Sequence, residues 1–479
     1  MVFSSAIFLF VFFPVTVCLY FLIPRDAKRI RNVFLLLASL VFYAWGEPKF
    51  VFVMLLIIAV DFAIAIYADK ARLSGDDHAR RRIIAVTVVS NVSIFFVFKY
   101  LNFTIANINA LFGSEVIRQT HIALPIGISF MTFQAMSYVF DVLNGKGKLQ
   151  RNPLNVGLYI ALFPQLIAGP IVRYQTVADE IDDRNSSLDD IAEGVSRFIV
   201  GLGKKVIIAN SVASIADWAF DMAASERTFT IAWIGAIAYT LQIYYDFSGY
   251  SDMAIGLGRI FGFHFLENFN YPYISKTVTE FWRRWHISLG TWFRDYVYIP
   301  MGGSREGTAR TIFNLFVVWT LTGIWHGANW TFVIWGLLYF VCLVIEKTLK
   351  IPKRIEDGTM SPLAKAGCRL WTGLVVICGW VLFRSDTIKD AAAYIRTMFD
   401  PWGGVFPTDL FQISQHALIL IIGIVLAAPV IPYIRDRLRE RNREDLYEMV
   451  RLPALLIVAA VSVIFIIAST YNPFIYFNF

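Results

Sequence analysis

Apolar stretches about as long as a bilayer is thick recur along nearly the whole chain, separated by short polar connections. A helix rises about 1.5 Å per residue, so roughly 20 residues cross the hydrocarbon core. On that measure the pattern predicts spans near 5–23, 33–46, 50–68, 83–100, 122–141, 154–172, 195–215, 230–256, 311–325, 328–347, 369–384, 414–433 and 453–471. Several are short or interrupted, so the pattern leaves the number of crossings open. The first, Ala6 to Ile23, continues into too many others to be a cleaved leader and is read as a retained helix. Two stretches break the rhythm. Residues 173–194 are acidic and read as a cytoplasmic excursion, and residues 257–310 are aromatic, basic and too polar to span. No internal repeat is visible, which weakens a transporter built from duplicated halves.

Charge then orients the helices. Basic clusters occupy alternate connections: Arg25, Lys28, Arg29 and Arg31; Arg80 to Arg82; Lys146, Lys148 and Arg151; Lys347, Lys350, Lys353 and Arg354; and Arg435 through Arg443. The positive-inside rule places these loops in the cytoplasm and both termini, including the tail Tyr471–Phe479, on the outer side. The implied location is a membrane crossed many times, with the basic loops on its cytoplasmic face. Composition agrees: 57% of residues are hydrophobic and 16% charged, against about 25% charged in soluble proteins. The net charge of +7 suits anionic lipid headgroups rather than nucleic acid, because the basic residues sit in short clusters between apolar spans. Cys18, Cys342, Cys368 and Cys378 lie in or beside spans without paired spacing, so they read as small buried apolar side chains, and neither a metal site nor a disulfide framework is expected.

Three polar clusters stand out within this apolar frame. Residues Phe281 to Tyr298, placed on one helix, put Phe281, Trp282, Trp285, Leu289, Trp292 and Phe293 on one face and Arg283, Arg284 and Arg294 on the other, the pattern of an interfacial or core-packed helix. His286 falls at the edge of the apolar face, where packed aromatics could hold an imidazole toward an aqueous cavity. His326 lies in LTGIWHGANW (321–330), at the end of an apolar run. An ionisable side chain at that depth faces a cavity or a partner, and Gly323 and Gly327 would let a substrate or another backbone come close; a helix-capping role is the alternative. Asp246 and Asp252 end a third span. They could orient a histidine, or form ion pairs with Arg283, Arg284 or Arg294.

Together the stretches YYDFSGYSDMAIGLGRIFGF (244–263), ENFNYPYISKTVTEFWRRWHISLGTWFRDYVYIPMGG (267–303) and WHGANWTFVIWG (325–336) resemble the membrane-bound O-acyltransferase family. LPIGISFMTFQAMSYVFDV (124–142), FPQLIAGPIVRY (163–174) and the opening MVFSSAIFLFVFFPV strengthen the resemblance. Within the family the chain looks like the branch of alginate O-acetyltransferases and of the membrane component of peptidoglycan O-acetylation, and more distantly like the teichoic acid D-alanyl transferase. The resemblance implies an all-α polytopic fold, a single membrane-embedded unit over 1–479, with interfacial and re-entrant helices around a central tunnel. Its family-like core covers about residues 1–350, and the helices of 351–479 are less constrained.

What the resemblance implies for the site is specific. The family's near-invariant catalytic histidine of the WHG motif falls on His326, and the second position, upstream, on His286. Trp325 and Asn329 belong to the same motif as supporting residues, with Asp246 and Asp252. Acyl transfer from a thioester to an alcohol needs a positioned base, and an imidazole suits that task. His326 is therefore expected to take the acceptor proton, with His286 orienting the donor or stabilising the developing oxyanion. Arg173, Lys204, Lys205, Arg283, Arg284 and Arg294, near the cytoplasmic side, are candidates for the phosphates of acetyl-CoA, the expected donor, with no permanently bound cofactor; ordinary positive-inside residues look the same. The acceptor is expected to be an exported glycan, or a secreted SGNH-like acetyltransferase that finishes the transfer. The rival readings are D-alanyl transfer from a carrier-protein thioester and, from another class, a non-catalytic transporter or flippase.

Overall fold

The computed structural model describes residues 1–403, 407–468, 471–473 and 475. Among the described residues every regular element is helical, as expected where no water is present to satisfy open sheet edges. The chain falls into two compact units: one of Met1–Phe198 with Ser251–Leu266, the other of Ile199–Tyr250 with Glu267–Phe479.

The first unit holds α1 (Phe8–Leu22), α2 (Lys28–Ala44), α3 (Val51–Ser74), α4 (Asp77–Phe112), α5 (Ile128–Leu143), α6 (Pro153–Ala161) and α7 (Tyr174–Asp182). Almost every side chain of α5 is buried, against α3, α4 and α6. Inside this apolar packing, some polar groups are paired. Asn91 donates to Asp61 at 2.9 Å and Asn32 to Asn155 at 3.1 Å, which offsets the cost of burying them.

The stretch at 154–172 departs from the simple span its hydrophobicity predicts. Helix α6 stops at Ala161, a single turn covers Phe163–Leu166, and no helix follows until Tyr174. Pro164 removes a backbone donor, and Gly169–Pro170 further breaks helical propagation. Residues 155–172 are all buried, the condition under which non-helical backbone is tolerated at membrane depth. The acidic stretch after it is in part helical. It folds as α7, whose end is held by Gln150 donating to Asp182 at 2.9 Å and Asn32 donating to the Ile181 carbonyl at 2.9 Å.

Two long helices follow, α8 (Leu188–Asp221) and α9 (Phe229–Ile260). The second unit then contributes α10 (Val278–Arg284), α11 (Ile287–Phe293), α12 (Thr308–His326), α13 (Trp330–Thr348), α14 (Pro362–Arg384), α15 (Ile388–Met398), α16 (Ile413–Leu426), α17 (Val430–Glu440) and α18 (Glu444–Ala468). Among the described residues, six helices are long and apolar enough to cross a membrane alone: α3, α4, α8, α13, α14 and α18; α16 and α17 make a seventh only as a pair bent by 56°. The stretches predicted at 33–46, 230–256 and 311–325 form helices α2, α9 and α12 but fall outside those six. Only 6% of the apolar window of α18 is buried inside the protein, so most of this helix lies on its surface. The cysteines also correct their sequence reading: Cys342 is buried, Cys368 and Cys378 are partly so, and Cys18 is exposed on α1.

Candidate active site

Helices α12 and α13 form a tight hairpin with His326 at its apex. Helix α12 ends at His326 because Gly327 is extended (φ −173°, ψ 157°). Asn329 starts α13 by accepting from the Thr331 amide at 3.1 Å, and its own amide donates to the Asp386 carbonyl at 2.7 Å. The hairpin closes on glycines. A Cβ at Gly323 would run into the Phe332 carbonyl, one at Gly336 into the Trp319 carbonyl, and one at Gly327 into the Phe332 ring. The glycines beside His326 thus admit the neighbouring helix and its side chains. The imidazole is buried at 5% exposure, with ring centroids 4.9 Å from Trp325, 4.9 Å from Trp335 and 5.1 Å from Phe383.

His286 sits at a break that the single amphipathic helix predicted for 281–298 does not contain. Helix α10 ends at Arg284, α11 begins at Ile287, and a π-helical turn follows over Arg294–Tyr298. Between them His286 adopts the left-handed region (φ 45°, ψ 53°), a strained conformation for a residue with a Cβ, which clusters at functional sites. Chain from elsewhere holds the break in place. The Asn270 amide donates to the Arg284 carbonyl at 2.9 Å, and the Ile287 amide to the Asn268 carbonyl at 2.9 Å. Helix α10 is fixed at its other end by Glu346 of α13, which accepts from the Val278 and Thr279 amides and the Thr279 hydroxyl at 2.6–2.8 Å. Its aromatic side chains enter the protein core. Trp282 meets Trp319 and Tyr339, each at 4.8 Å, and Trp285 meets Trp380 at 4.8 Å.

The two histidines, far apart in sequence, stand against one indole: Trp325 is 5.9 Å from the His286 ring and 4.9 Å from the His326 ring. His286 is 2% exposed. Its Nδ1 lies 3.1 Å from Asn268 Oδ1, and Phe247 closes its other side at 4.6 Å. Burial pushes its pKa down to about 3, so the ring is neutral.

The remaining predicted residues are dispersed. Asp246 pairs with Lys205 at 2.7 Å, both side chains being 2% exposed, and Asp252 pairs with Arg197 at 2.7 Å; neither takes Arg283, Arg284 or Arg294 as its partner. The Lys205 ammonium also reaches the Pro473 carbonyl, while Asp246 accepts from the Ile475 amide at 2.9 Å. Lys205 is thereby engaged internally. Arg284 pairs with Glu280 at 3.0 Å and Arg294 with Asp295 at 2.8 Å. Arg283 and Arg294 are exposed, and Lys204 and Arg173 are half-buried. Sequence reasoning missed Asn268 and Glu346. The signal for Glu346 was present, a carboxylate inside the apolar run 328–347, whereas nothing local distinguishes Asn268.

Among the described residues the chain is an all-helical, multi-pass membrane protein with two buried imidazoles packed on one tryptophan. More particularly, the chain belongs to the membrane-bound O-acyltransferase family, whose profile matches residues 39–350, and it is an acyltransferase. It is 40% identical to the "Probable alginate O-acetylase" of Azotobacter vinelandii over the full length of both chains. It is 31% identical to the peptidoglycan O-acetyltransferase of Helicobacter pylori, covering all of this chain and 98% of that one. The teichoic acid D-alanyltransferase of Bacillus subtilis is 31% identical over 46% of this chain and 58% of its own.

Proposed function

We propose that this protein takes an acetyl group from acetyl-CoA on the cytoplasmic side of a bacterial inner membrane and transfers it to a hydroxyl of an exported polysaccharide or of a secreted partner acetyltransferase. The observation that carries the chemistry is the meeting of His286 and His326 on Trp325 within the buried aromatic core. The full-length similarity to alginate and peptidoglycan O-acetyltransferases supports acetyl over other acyl groups and a polymer as final acceptor. In this reading His326 removes the acceptor proton as the alcohol oxygen bonds to the acetyl carbon and the carbon–sulfur bond breaks; the proton then passes to the departing thiolate. His286 holds one of the reacting groups in line.

His326→Ala, purified and reconstituted in vesicles, tests this. Thioester turnover should fall by about 10²–10⁴-fold, the usual contribution of a positioned base, while expression and thermal stability stay near wild type. A variant retaining more than about a tenth of wild-type turnover would exclude His326 as that base. The same vesicles identify the final acceptor. Efficient polymer acetylation with no second protein would rule out the relay through a partner, and turnover only with a carrier-protein thioester would point to D-alanyl transfer.

A further inference from the structure

We infer that Asn268 is the positioning residue that holds His286 in the tautomer with its proton on Nδ1, leaving the Nε2 lone pair as the reactive position. The identity of the atom facing His286 follows from its other partners. Asn268 Oδ1 receives the Ser288 backbone amide at 3.2 Å and the Ser288 hydroxyl at 2.9 Å. A backbone N–H can only donate, so the atom there is the side-chain oxygen and not its amide nitrogen. The same oxygen lies 3.1 Å from His286 Nδ1. Two acceptor lone pairs would repel at that distance, so Nδ1 carries the hydrogen and donates it. The Ser288 hydroxyl stands 3.4 Å from Nδ1; with its own hydrogen directed to Asn268, it offers Nδ1–H a second, weaker acceptor.

The backbone enforces this arrangement. The Ile287 amide bonds the Asn268 carbonyl at 2.9 Å, so the left-handed turn at His286 and the Asn268 side chain are registered by one residue. Asn268 is 1% exposed, in a site where a misplaced polar atom would have no water to turn to.

The chemical consequence is directional. A neutral imidazole with hydrogen on Nδ1 can accept at Nε2 but cannot donate there. His286 is thereby suited to receive the hydrogen bond of a substrate hydroxyl, and unsuited to stabilise an oxyanion. Of the two roles open to it, holding the hydroxyl is the one this geometry selects.

The tautomer is read directly by ¹⁵N magnetic resonance on full-length, histidine-labelled protein in lipid, with the His286 signals identified by their loss in His286→Gln. The expected result is a protonated Nδ1 and an unprotonated Nε2; hydrogen on Nε2 overturns the inference. This arm needs no turnover, so it stands apart from the acyl-transfer reading on which the kinetic arm rests. Asn268→Leu should lower kcat by about 10²-fold or more with little change in KM for the thioester, because a wrong tautomer disables the group that holds the acceptor hydroxyl rather than thioester binding. Asn268→Asp keeps the acceptor and should restore most of the activity. Its added negative charge favours the imidazolium, so the acid limb of the rate profile should move to higher pH. Wild-type kcat in Asn268→Leu, or an unmoved acid limb in an active Asn268→Asp, overturns the positioning role. Should Asn268→Leu fail to fold, Ser288→Ala provides the milder variant: it removes one of the hydrogen bonds that hold Asn268 in place and should lower kcat by a smaller factor, with Nδ1 still protonated.

Discussion

At the scale of single residues, partners decide what an ionisable group can do. Lys205 has the charge of a phosphate ligand, but its ammonium faces Asp246 at 2.7 Å with both side chains 2% exposed. Removing one member of such a pair leaves an uncompensated buried charge, whereas replacing both with apolar groups of similar size is often neutral. Lys205→Met and Asp246→Asn are each expected to lower stability by about 3–5 kcal/mol, and Lys205→Met with Asp246→Leu to recover most of the loss. Thermal unfolding of the purified variants measures this. Single variants with wild-type stability and a raised KM for acetyl-CoA would instead make Lys205 a donor ligand.

At the scale of elements, the active-site hairpin depends on backbone approach. Helices α12 and α13 meet where Gly323 and Gly336 lie face to face, leaving no room for a Cβ on either. Gly336→Ala should push the helices apart, cost about 1–3 kcal/mol and reduce turnover by displacing His326 from Trp335 of α13. At Gly373, on α14, a Cβ would meet nothing within 4 Å. There the same substitution should be neutral or stabilising by up to about 1 kcal/mol, from helix propensity alone. A comparison of melting temperatures settles it: equal losses at both positions would refute close packing as the cause. The helix break at His286 is of the same kind. Its sequence, EFWRRWHISLGTWF, reads as one amphipathic helix, and the chain segment at 268–270 divides it by supplying hydrogen bonds at the turn.

At the scale of the whole molecule, orientation rests on charge. The Arg435–Arg443 cluster lies on α17 and just beyond it, at the foot of α18, and such clusters remain on the cytoplasmic side. A reporter inserted in the 435–451 region should therefore be active in the cytoplasm, and one fused after Phe479 on the outer side. Phe479 itself lies outside the described residues. Activity of both reporters on one face would reverse the expected topology and remove the basis for a donor and an acceptor approaching from opposite sides.

The sequence by itself determined the all-α membrane class and most of the helices, because hydrophobic periodicity is a local signal that survives without a fold, and it singled out the two histidines that the fold brings to one tryptophan. It did not determine which apolar runs stay helical. The stretch 154–172 is hydrophobic enough to span, but its prolines and burial make it a broken, enclosed segment. Nor could local pattern show that Asp246 answers Lys205, that Glu346 caps α10, or that Asn268 faces His286. Each of these pairs residues distant along the chain, and in a low-dielectric interior a polar group's role is set by the atom it meets there. Only the tertiary structure brings those atoms together.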